Sequence, residues 1–92
     1  LKPTERAEFF AATRQFDRAV ESFQKILQGQ EKPKVGPYDL EKSVHEALLI
    51  AVRFKRDPTL AKAIVQSTID NADAPQFLKE NAIPAIPSLS YL

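Results

Sequence analysis

Cysteine is absent from the 92 residues, as are methionine and tryptophan. Without cysteine neither a disulfide framework nor a thiolate zinc site can be built, so the core must hold by packing alone. Glycine occurs twice, at Gly29 and Gly36, which is too sparse for a phosphate-cradling loop and sets nucleotide binding aside. The longest apolar run, Ala47 to Val52, falls far short of the roughly 20 residues that cross a bilayer. A soluble chain without membrane insertion is the expectation. With no methionine and no charged-then-apolar leader at Leu1-Lys2-Pro3, the chain reads as a piece of something longer. Any targeting segment is expected in the missing part, and the sequence names no compartment.

An excess of either charge is also missing: 13 Lys+Arg stand against 12 Asp+Glu, for a net +1. A general phosphate-backbone binder needs clustered, uncompensated cations. Arg53, Lys55 and Arg56 form a basic concentration, but Asp57 interrupts it and Phe54 is its one interleaved aromatic. Solvated cations at a helix end account for it, and nucleic acid is not an expected partner. What is present is ordinary globular material, 43% hydrophobic and 27% charged, enough to fold as one small domain of modest stability.

The apolar residues recur at helical spacing. Thr4 can cap a first helix with Glu5 in its opening turn, putting Ala7, Phe10 and Ala11 on one stripe and Phe9 beside it. Asp17 can cap a second, in which Phe16, Ala19, Val20, Phe23, Ile26 and Leu27 repeat at three-and-four spacing until Gly29 stops it in a left-handed turn. Residues 30–38 hold two prolines and read as a loop. Asp39 opens a third helix whose apolar positions, from Leu40 to Val52, nearly encircle it, so it is expected at the buried centre. Asp57-Pro58 both ends that helix and starts the fourth, as cap and first position. The fourth runs to about Asn71 with Leu60, Ala61, Ile64, Val65, Thr68, Ile69 and Ala72 in a stripe. A short fifth occupies 75–81, and residues 82–92, with Pro84 and Pro87, form an extended apolar tail that either caps the fold or lies on a partner.

The expected fold is therefore all-α: one helical-repeat domain over residues 1–81, built as hairpins 4–29 and 39–72, followed by the tail. Aligning Ala19 with Ala61 pairs Phe23 with Val65 and Phe10 with Val52, a weak internal repeat in pattern. Residues 7–27 resemble a tetratricopeptide repeat. Phe10 on the first helix, Phe16 at the turn, and Ala19 and Phe23 on the second carry the likeness, since Ala19 lets the helices approach while the phenylalanines fill the gaps. The resemblance implies stacked antiparallel hairpins with a right-handed superhelical tendency and a protein-binding scaffold. In that family's carboxylate-holding members a lysine and an asparagine act on the first helix; Thr4 and Glu8 stand there here, so that ligand class is not expected.

Chemistry finds no foothold. His45 is the one histidine, without a second ligand for a metal or a serine to activate. The carboxylates are scattered on polar faces, where acid/base work needs a pair in one cleft. No cofactor, metal or catalytic residue is expected. The reading is a non-catalytic interaction module that takes a peptide or partner subunit on a surface lined by the first and third helices. Candidate lining residues are Glu8, Phe9, His45 and Arg53, and self-association stays open. The alternative is a structural helical segment of a larger assembly or enzyme, with no ligand of its own.

Overall fold

The computed structural model describes residues 2–31 and 35–82, with side chains through Glu80; the tail expected beyond them lies outside the described residues. Four long helices form: α1 (Pro3–Ala12), α2 (Phe16–Leu27), α3 (Pro37–Leu49) and α4 (Pro58–Asp70). α3 runs without a break into a π-helical segment, Ile50–Phe54, and a second π-helical turn, Leu78–Ala82, closes the described chain. Among the described residues no strand is present.

Three helices start on the same device, a proline in the first turn: Pro3, Pro37 and Pro58. Its missing N–H would have no intrahelical partner there, and its fixed φ already suits the helix. At Asp57-Pro58 the expectation holds, and the Asp57 carboxylate accepts from the Leu60 amide at 3.0 Å. Elsewhere the starts differ from it. α1 is capped at Lys2 rather than Thr4, and α3 at Gly36 rather than Asp39, because the prolines start each helix before those side chains are reached. Asp17 is not the cap of α2 either, since the helix already begins at Phe16 behind Gln15.

The ends share a device as well. Gln15 donates its amide to the Phe10 carbonyl at 2.8 Å and Arg14 to that of Ala11 at 3.1 Å; Gln30 and Gly29 repeat the pattern on Lys25 and Ile26. Both are left-handed caps, with Gly29 at φ 74° and Arg14 at φ 63°. The π segment ends similarly at Arg56, φ 50°. So tight a turn after α1 leaves no spare residues, and α2 must fold straight back along it.

α2, not α3, is the central rod: it packs against α1, α3 and α4. Its Phe23, Ile26 and Leu27 are sealed from solvent. Five alanines, Ala7, Ala19, Ala47, Ala51 and Ala61, are fully buried, and their small side chains let neighbouring helices approach closely. The broad apolar surface of α3 is not buried all round, because Leu49 stays 38% exposed. On α4, Ile69 faces solvent, as does Ala72 in the turn beyond it, so the stripe is buried only at Ala61, Ile64 and Thr68.

Asn71 fastens the far end. Its Nδ2 donates to the Leu27 carbonyl at 3.0 Å and its Oδ1 accepts from the Asp73 amide at 2.9 Å. One buried amide thus satisfies a free carbonyl at the end of α2 and turns the chain after α4. Leu78 then packs into the core while Phe77 stays exposed. The buried Ser43 hydroxyl has no hydrogen-bond partner among the described residues, and nothing in the structure explains it.

Phe23 is 1% exposed on the central rod, so Phe23→Ala should cost about 3–5 kcal/mol, comparable with the whole stability of a small domain. Chemical denaturation measures it, and a near-native midpoint would place Phe23 outside the core.

Candidate binding groove

Two contacts between residues far apart along the chain fix how α1 and α3 face one another. Near their middles, Glu8 of α1 and Lys42 of α3 form an ion pair at 2.7 Å. Near their ends, the Arg14 guanidinium lies over the Phe54 ring, 5.4 Å from its centroid. α1 and α3 therefore run side by side in the same direction, with α2 behind them. Between them lies an open groove of about 490 Å³, within the usual range for ligand sites.

Each wall follows from helical spacing. Glu8, Ala11 and Ala12 stand at i, i+3 and i+4 on α1, and Lys42, Glu46, Leu49 and Ile50 make the matching stripe on α3. The two alanines keep one wall low, and Leu49 supplies exposed apolar surface on the other. Phe16, Phe54 and Arg14 close the end of the groove.

That closing end is a built cluster. The Phe16 and Phe54 rings stack at 4.7 Å with planes 17° apart, a geometry that aromatic pairs favour. Arg14 lies beside both, 5.9 Å from the Phe16 centroid as well, and an Asp17–Lys55 ion pair joins α2 to the residue after the π segment beside the stack. The π winding explains how Phe54 arrives there. Lys55 donates to the carbonyl of Ile50 instead of Ala51, so more residues fill the last turn and Phe54 leaves the phase of a continuous α-helix. A second open cavity of about 460 Å³, bounded by Asp17, Lys55 and Asp57, meets the first at Arg14, Phe16 and Phe54.

The candidates read from the sequence do not all meet here. Glu8 lines the groove. Phe9 is 55% exposed, its ring tilted 6.1 Å from that of Phe10, and does not line it. His45 on α3 and Arg53 on the π segment are exposed outside it. Arg14, Lys42, Leu49 and Phe54 line it as well. Their signal was the stripe Lys42, Glu46, Leu49 and Ile50, a surface row that begins polar and ends apolar, together with an arginine standing where a turn would ordinarily take glycine.

The electrostatics are local. Lys42 is held above its ordinary pKa of 10.5, first by its hydrogen bond to the Glu8 carboxylate and then by the charge of that group. Among the described residues no group of three histidine, cysteine or acidic side chains could hold a metal ion, and no helix is long and apolar enough to cross a membrane. Comparison with protein-family models, curated proteins and solved structures found no match.

Two measurements test this geometry. A raised folded pKa means that the Glu8–Lys42 contribution is present below pH 10.5 and disappears as pH climbs through the higher folded value. An NMR titration of the Lys42 side chain should show its midpoint above 10.5, with Glu8→Gln moving it back down. For the stack, a double-mutant cycle of Phe16→Ala and Phe54→Ala should return a coupling of about 0.5–1.5 kcal/mol. Additive losses would mean that the rings do not support one another.

Proposed function

We propose that this chain is a non-catalytic interaction module of tetratricopeptide type, which holds a peptide or a partner subunit in the groove between α1 and α3. The observation that carries the reading is that groove: two helices running the same way, an open volume of about 490 Å³, and an apolar stretch left uncovered at Leu49 and Phe54. An exposed apolar strip with charged residues at its edges is the usual dress of a recognition surface. Ala19 and Phe23 buried behind the groove fit the repeat-like pattern of residues 7–27. Glu8 belongs to the lining, whereas Phe9, His45 and Arg53 would act only on a partner that extends beyond it.

A second reading draws on Phe9, Tyr38, Ile69 and Phe77, which are exposed by 55, 78, 41 and 60% outside the groove. These fit a structural helical segment that packs on a larger assembly. The two readings part in one experiment, selection of a random-peptide display library on the folded chain. A groove binder yields competing peptides whose affinity falls at least about tenfold with Leu49→Asp, equivalent to about 1.4 kcal/mol. If no peptide is enriched, and sedimentation shows self-association that Ile69→Asp or Phe77→Ser abolishes, the assembly segment is the correct reading.

A further inference from the structure

Arg14 is held unusually for a surface arginine. It occupies the left-handed region at φ 63°, a backbone state that costs an ordinary side chain energy which glycine avoids. Its guanidinium lies against two stacked rings, 5.9 and 5.4 Å from their centroids, at the junction of both cavities. The other cations on the linings are already matched, Lys42 with Glu8 and Lys55 with Asp17. Arg14 has no ion pair among the described residues. No carboxylate of the described residues occupies the guanidinium, whose forked N–H donors suit one.

At the other end of the groove the balance reverses. Glu8 and Glu46 stand there with one cation, Lys42, which pairs with Glu8, so that end is acidic and disfavours a second carboxylate. The groove is thus bipolar, with an unmatched cation beside its aromatic end, an unmatched acid at the far end, and Leu49 and Ile50 between.

We infer that the occupant of the groove is a peptide segment with an acidic side chain beside apolar ones, whose carboxylate is received by Arg14. The inference rests on the groove reading above and adds polarity to it. Apolar residues of the segment lie on Leu49 and Phe54, and the chain runs from Arg14 toward Glu46, where a neutral or basic residue fits. Complementary charge at the two ends sets register and direction more than it adds raw affinity. A free C-terminus is not needed, since the anchor takes a side-chain carboxylate.

The test uses the same display library, whose peptides are fused at their C-termini, and the full chain in three forms: native, Arg14→Gln and Arg14→Gly. Peptides selected on the native chain should be enriched in Asp or Glu next to large apolar residues. Changing that acid to its amide should weaken binding about tenfold on the native chain and not at all on Arg14→Gln, a coupling that only a direct pair produces. Arg14→Gly should lose the same preference yet melt at about the native temperature or higher, because glycine suits the left-handed turn. That outcome separates recognition from folding. If the selected peptides lack acids, or the amide costs as much on Arg14→Gln as on the native chain, the anchor is wrong while Leu49→Asp still reports on the groove. If nothing is selected, groove and anchor fall together; if sedimentation shows self-association that Leu49→Asp abolishes, a second copy fills the groove and the peptide anchor alone falls.

Discussion

Everything in this small protein hangs on the burial of one amphipathic rod. α2 presents Ala19, Val20, Phe23, Ile26 and Leu27 to three neighbouring helices, and no disulfide is present to share the task. Apolar burial scales with the area removed from water, and a chain of this size has little to spare. The alanine seams make that area available. Were Ala19 or Ala47 larger, the helices would stand further apart and the contacts of Phe23 and Leu48 would weaken steeply with the gap.

With α2 at the back, α1 and α3 are left side by side at the front, and the groove is the space between two rods that share a support. Its polar and aromatic fittings close both ends: Glu8 with Lys42 at one, and Phe16, Phe54 and Arg14 at the other. Exposed ion pairs of this kind add little stability. The Glu8–Lys42 pair marks where the two walls come within reach of each other, and Leu49 stays uncovered between it and the aromatic end. The stacked rings bring the start of α2 against the end of the π segment.

The helices and most of their inward faces could be read along the chain. Gly29 stopped α2 where a left-handed turn was expected, and Asp57-Pro58 ended one helix and capped the next. The errors lie at the starts, where Thr4, Asp17 and Asp39 were given a role that the neighbouring prolines or the preceding cap had already taken. The groove was only half legible: helical spacing places Glu8 on it, but lining depends on what stands opposite, and that leaves Phe9, His45 and Arg53 outside.

By itself the sequence determined the helical class, the apolar period, the punctuation by proline and glycine, and the exclusion of thiolate and phosphate-loop chemistry. These are local properties, decided by neighbours within one or two turns. Tertiary structure alone decided that α2 rather than α3 lies at the centre, that Leu49, Ile69 and Phe77 stay uncovered, and that a π turn swings Phe54 onto Phe16. Burial and pairing join residues such as Asp17 and Lys55, or Leu27 and Asn71, that are remote along the chain. A one-dimensional pattern can say that a face is apolar; only packing settles which part of it is covered.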